Sequence, residues 1–312
     1  MCKMYFRKEK MIYTNLSKCI IGTNLIEGEV WILKSEFEEL KRMLKNSENE
    51  KITPTTFVNI ENENKQKPTH FKITEFFWAF QEIVNTYGIP KYKEINPTYF
   101  NIVTFPFLFG VMFGDIGHGF ILLLFGIFLC LKADSIKENK HSILKDFTKA
   151  RYLILLMGIF SFYCGWIYND FLSLPLPIFN SCYKKIKNGK NYIAARDEPN
   201  CVYPFGIDPV WRTAKNELAF YNSFKMKISV IIGVIHMVFG IILKGLNEIH
   251  FKNYIGLFFE FLPQFLFMTI LFGYMIVMIF IKWSTDWSDN TNKAPSLISQ
   301  MLDIFLSFGS VV

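Results

Sequence analysis

A chain of 312 residues that is 51% hydrophobic and 17% aromatic, yet keeps 20% charged residues, fits a protein with both aqueous and membrane-embedded parts. The formal net charge of +7 does not call for nucleic acid, because Lys and Arg cluster beside the apolar runs, where they set membrane topology. The cysteines Cys2, Cys19, Cys130, Cys164, Cys182 and Cys201 show no CxxC or His-linked spacing, which argues against zinc, and neither metal nor cofactor is expected. MCKMYFRKEKMIYT has no apolar core before its next charges, so no cleavable signal peptide is expected.

In chain order, EGEVWI (Glu27 to Ile32) alternates as a strand would. Ser35 and Glu38 then stand in capping-box spacing before a helix with Phe37, Leu40 and Leu44 along one face. Residues 45–68 are rich in Asn, Glu, Lys and Thr and predict an exposed connector. A further helix is predicted over 74–86, stopped by Gly88 and Pro90.

The apolar run TYFNIVTFPFLFGVMFGDIGHGFILLLFGIFLCL, Thr98 to Leu131, exceeds the roughly 20 helical residues that cross a bilayer core. Gly114, Gly117 and Gly119 supply freedom for a reversal, so the run is predicted as a tight hairpin of two short spans, 98–113 and 118–131. The Lys excess of loop 132–150 places that loop in the cytoplasm. Further spans are predicted near 151–170, 227–244 and 254–282, with cytoplasmic loop 245–253 and luminal or exterior loops 171–225 and 283–296. Trp283 and Trp287 read as interfacial anchors. Cys182 and Cys201 share the long loop; two unpaired thiols are expected, with pairing open if that loop is extracytoplasmic. The fold class is therefore a polytopic α-helical membrane protein: an α+β piece, about five transmembrane helices of which the first two form a tight hairpin, and a truncated further segment after Ala294.

Few polar side chains lie inside the predicted spans. Asp115 and His118, three apart in GDIGHG, could relay protons or bind an ion. The structural alternative has the stronger physical case: a carboxylate suits a helix N-terminus, where Asp115 would cap the second helix while His118 makes one hydrogen bond. His236, in the middle of its span, could line an aqueous half-channel or bond a neighbouring carbonyl. Glu260 precedes Pro263 by one turn, beside Gln264, and could serve a proton path, a kink or the interface. Lys225 and Lys227 read as snorkelling residues, and Asn169 with Asp170 as interface. No GxxxxGK[ST] loop, GxSxG elbow, HExxH helix or dinucleotide fingerprint is present, so this polypeptide is not expected to hydrolyse ATP by itself.

The blocks NPTYFNIVTFPFLFGVMFGDIGHG, YLILLMGIFSFYCGWIYNDFLS, YPFGIDPVW, NELAFYNSFKMKISVIIGVIHMVFGI and LPQFLFMTILFGYMIVMIFIKW, with the later APS, resemble successive parts of the large membrane subunit a of V-type proton-translocating ATPases. EVWI and FQEIVNTYGIPKYKEINP are similar to the distal and returning parts of that family's cytoplasmic domain. The resemblance implies a partial cytoplasmic domain over 1–97, a membrane domain over 98–312, GDIG between two short spans, and a luminal YPFGIDP loop. It also implies a stator role in a rotary pump that acidifies vacuolar, endosomal or other acidic compartments, or works at the plasma membrane. In that family ATP is hydrolysed on other subunits, proteolipid ring and other membrane-sector subunits are partners, and peripheral stalks bind the cytoplasmic arm. The resemblance also implies that the family's essential arginine, carried on its C-terminal helices, and its long N-terminal coiled coil are expected outside residues 1–312. No catalytic residue is carried over, and the chain alone is not expected to translocate protons. Two alternatives are a scaffold fragment that binds ring and stalk subunits without a proton path, and an unrelated polytopic transporter with broken helices.

Overall fold

The computed structural model describes residues 2–23, 26–49, 67–138, 144–188, 191–196, 201–285, 296 and 299–300. Two units emerge, the first comprising residues 1–70 with 91–93 and the second the remainder. The first contains helix α1 (Cys2–Leu16), the two-residue strands β1 (Ile20–Ile21) and β2 (Ile26–Glu27) paired antiparallel, and helix α2 (Phe37–Asn49). Of EGEVWI only Glu27 lies in a strand, because β1 has just two residues to offer as a ladder and Val30 and Trp31 stay exposed. α2 begins at Phe37, so its first helical acceptor is Glu36 O rather than Ser35. Most of the predicted connector, together with Trp287, lies outside the described residues.

The second unit opens with α3 (Glu75–Tyr87), one residue displaced from its predicted bounds and ended by Gly88. Its buried Gln81 Oε1 accepts from Asn96 Nδ2 (2.8 Å) and Thr98 Oγ1 (2.9 Å), which secures the start of α4 (Thr98–Met112). Glu75 of α3 also pairs with Arg151. α5 (Ile116–Leu131) follows a reversal at residues 113–115, then come the short α6 (Ala133–Glu138) and α7 (Leu144–Lys149), and α8 (Arg151–Tyr168).

The reversal occurs where predicted, but α4 and α5 pack along α8 rather than along each other. α5 runs antiparallel to α8: Gly119 lies against Phe162, and Gly126 against Leu155. α4 runs parallel to it: Gly110 meets Phe160, Gly114 meets Tyr168, and Tyr168 Oη donates to Val111 O at 2.8 Å. The glycines of GDIGHG therefore have a different purpose from the predicted one. None of Gly114, Gly117 and Gly119 has a left-handed φ. What they provide is the absence of a Cβ, which at these positions would strike Tyr168, Leu172 and Phe162.

Past α8, strands β3 (Asp170–Phe171) and β4 (Leu174–Pro175) make a small hairpin, and β5 (Tyr183–Asn188) with β6 (Asn191–Arg196) a longer one. A 3₁₀ turn, Pro209–Thr213, leads into α9 (Glu217–His250). The helix Tyr254–Ser284 contains π-helical turns at Leu257–Phe261 and Met268–Phe272. The first precedes Pro263, which cannot donate to the turn before it. There Leu262 N reaches back to Leu257 O, five residues away, so the turn before Pro263 is widened. Among the described residues, three helices are long and apolar enough to cross a membrane, Arg151–Tyr168, Ser223–His250 and Tyr254–Ser284, while α4 and α5 are shorter apolar helices.

Candidate functional site at the reversal and the end of α8

Asp115 is the N-cap of α5, and its carboxylate collects more bonds than a cap requires. Oδ1 accepts from Gly117 N (2.7 Å), His118 N (3.1 Å) and Leu172 N (3.0 Å), and Oδ2 from Ser173 N (2.9 Å). His118 Nδ1 lies 3.0 Å from Oδ2, with its ring half exposed. Leu172 and Ser173 have φ of 50° and 61°, a left-handed conformation that costs roughly 1–2 kcal/mol per non-glycine residue. Two bonds to a buried carboxylate offset that strain, so Asp115 joins the α4–α5 reversal to the β3–β4 hairpin. Its expected structural reading, capping, is thereby extended to a tertiary role.

At the end of α8, Asn169 takes φ 51° and its Nδ2 donates to Phe205 O (2.9 Å) and Ile207 O (2.8 Å), lacing the YPFGIDP segment onto the helix. Gly206, at φ 71°, lies so close to Ile167 O that a Cβ would clash. Asp208 caps the 3₁₀ turn through Val210 N (3.0 Å) and also accepts from Ser181 Oγ and, at 3.0 Å, from Cys182 N. The turn presents Arg212, which bridges Asp170 (3.2 Å) and Glu217 (2.8 Å). Lys225 Nζ sits 4.5 Å from the Tyr168 ring centroid and 5.5 Å from that of Tyr221, within cation–π range of both rings. Tyr221 Oη in turn donates to Tyr168 O at 3.1 Å.

Cys182 and Cys201 form a disulfide, which corrects the expectation of free thiols. Cys182 is buried and held by Asp208, so the covalent link ties the β5–β6 excursion to the capped turn. Replacing both cysteines by Ser is expected to lower stability by about 3 kcal/mol, the loop-closure value for a closure of this order. Thermal unfolding of the solubilised protein, with and without a thiol reductant, measures it; an unchanged midpoint in the double variant would contradict the role assigned.

The remaining candidates stand elsewhere. His236 lies exposed on α9. Glu260 pairs with Lys244 of α9, which also reaches Gln264 at 3.3 Å. Gly114, Gly117 and Gly119 line the α4–α5 reversal beside Asp115, while among the described residues no group of three His, Cys, Asp or Glu side chains could hold a metal. Sequence reasoning passed over Asp208 and Arg212, although an Asp directly before Pro209 carries the N-cap and N1 signature of a helical turn. It also read Asn169 and Asp170 as interface, where the structure buries both.

Apolar helices of spanning length among the described residues, with a buried polar cluster where α8 gives way to a disulfide-closed loop, fit a helical membrane protein. The family described as "V-type ATPase 116kDa subunit family" matches residues 1–312, and the chain belongs to it. It is 39% identical over 321 residues to the V-type proton ATPase 116 kDa subunit a 1 of Mus musculus, covering 96% of this chain and 38% of that protein. Subunit a 2 of Homo sapiens is 37% identical over 330 residues, covering 96% of this chain and 39% of the relative. Subunit a 3 of Homo sapiens is 36% identical over 319 residues, with 96% and 38% covered. The chain thus spans about two-fifths of the length of these relatives.

Proposed function

We propose that the chain supplies part of subunit a in the membrane sector of a rotary proton pump, where it acts as stator during ATP-driven acidification. The family match over all 312 residues carries this reading. In it, residues 1–97 belong to a cytoplasmic arm that binds peripheral stalks, and 98–312 to a membrane domain beside a proteolipid ring. ATP is hydrolysed on other subunits, and the membrane is that of a vacuole, endosome or other acidic compartment, or the plasma membrane.

Five membrane segments are proposed: α4, α5, α8, α9 and the Tyr254–Ser284 helix. At 1.5 Å per residue, α4 and α5 extend about 22–24 Å, short of a ~30 Å core. That shortness supports a re-entrant pair whose reversal is stitched to the loop beyond α8, on the luminal side together with YPFGIDP. The bonding of Asp115 favours a supporting role for this region, with the proton path formed elsewhere in the subunit. Affinity capture of the full-length protein from its own membranes is expected to bring down ring and stalk subunits with ATPase activity. The 312-residue chain alone in liposomes is expected to give no ATP-dependent pH gradient. Capture without those partners, or a gradient from the isolated chain, would overturn the assignment.

A further inference from the structure

Asp170 lies two residues past the end of α8 and is 6% exposed. Its two carboxylate oxygens have unlike surroundings: one meets Arg212 Nη2 at 3.2 Å, whereas Oδ1 is buried with no hydrogen-bond partner among the described residues. On the adjacent residue, Asn169 Oδ1 is likewise buried with no partner among the described residues. That amide cannot turn over, since its Nδ2 already donates to two carbonyls and a flip would set an oxygen against both. Among the described residues, two neighbouring buried acceptors thus lack a donor, an arrangement that costs stability because neither water nor protein repays their desolvation. A proton on Asp170 Oδ1 converts an acceptor into an O–H donor and removes a buried negative charge.

We propose that Asp170 is a proton-binding site, which takes up a proton from the solution bathing the loops beyond α8 as that solution acidifies. The carboxylate plus one solvent proton becomes a neutral carboxylic acid, and the 203–217 segment then packs more firmly on the end of α8. Arg212 is not stranded by the change, because it keeps Glu217 at 2.8 Å.

The groups facing Asp170 are Arg212 of the 3₁₀ turn, Glu217, Tyr221 and Lys225 of α9, and Asp115 with its partner His118 at the α4–α5 reversal. Burial pushes the Asp170 carboxyl above its ordinary value; Asp115 and Glu217 add to that, and Arg212 and Lys225 oppose it. An acid whose folded-state pKa lies above its unfolded value binds its proton preferentially in the native state. The added stability therefore appears as pH falls through the folded pKa and is absent at higher pH.

Hydrogen exchange in the assembled complex tests this, read on peptides covering 168–176 and 203–217 as the solution is taken stepwise from neutral into the acid range. After correction for intrinsic rates, the wild type is expected to exchange several-fold more slowly at the acidic end. Asp170→Asn, whose amide stands in for the protonated acid, is expected to be slow at both ends. Glu217→Gln removes one neighbouring negative charge and is expected to move the wild-type midpoint to lower pH. A wild type without pH response overturns the proposal, as does an unmoved midpoint in Glu217→Gln. So does an Asp170→Asn variant that fails to assemble or exchanges faster than wild type throughout, since the site would then require the anion.

Discussion

Asp115→Ala in the full-length protein is expected to cost about 3–5 kcal/mol of stability, the range seen when one partner of a buried charged network is removed. Four backbone N–H groups and the His118 ring would lose their acceptor together. Leu172 and Ser173 would keep left-handed backbones with nothing to offset them. Asp115→Asn retains one acceptor oxygen but turns an NH₂ toward a donor, for a loss of about half that size. His118→Ala removes one half-exposed contact and is expected to cost under about 1 kcal/mol. The measurement is the amount and thermal stability of assembled complex in membranes, set beside its proton-pumping rate. If Asp115→Ala assembled normally while pumping failed, the anchoring role would be wrong and a proton relay at this position would be favoured.

The same residue shows how far the sequence could be read. Position and chemistry at Asp115 were legible, because a carboxylate that opens an apolar helix after a glycine has few other uses. Its bonds to Leu172 and Ser173 were not, because they join residues 57 and 58 positions apart and depend on where α8 ends. The bounds of α3 followed from local spacing and its Gly88 stop. By contrast, the partner of α5 was hidden, since a reversal between two apolar helices implies that they pack together unless a third helix is known to lie alongside both. The β5–β6 hairpin was signalled only by Asn188-Gly189 within a Lys-rich stretch. The disulfide was not legible, because two cysteines 19 residues apart in a loop are equally consistent with free thiols until the backbone brings them to a Cα separation of 5.6 Å.

Gly→Ala substitutions along the α5–α8 seam are expected to separate close packing from helix flexibility. A Cβ on Gly165 would strike backbone atoms of Asp115 and Ile116; on Gly158 it would lie 2.6 Å from Leu123 N, and on Gly126 2.8 Å from Leu155 Cα. These neighbours are main chain, so no side-chain rotation makes room and the helices themselves must move apart. Each substitution is therefore expected to destabilise by about 1–3 kcal/mol, with Gly165→Ala the worst because it also disturbs the N-cap held by Asp115. Gly240 on α9 is the control, since a Cβ there meets nothing within 4 Å. Alanine at that position is expected to be neutral or to stabilise by up to about 1 kcal/mol through helix propensity. Melting temperatures of the solubilised variants decide the matter: a seam variant as stable as Gly240→Ala would mean that α5 and α8 do not approach at backbone distance. The geometry predicts the reverse, since it is the contact with α8, more than any turn, that requires glycine in this run.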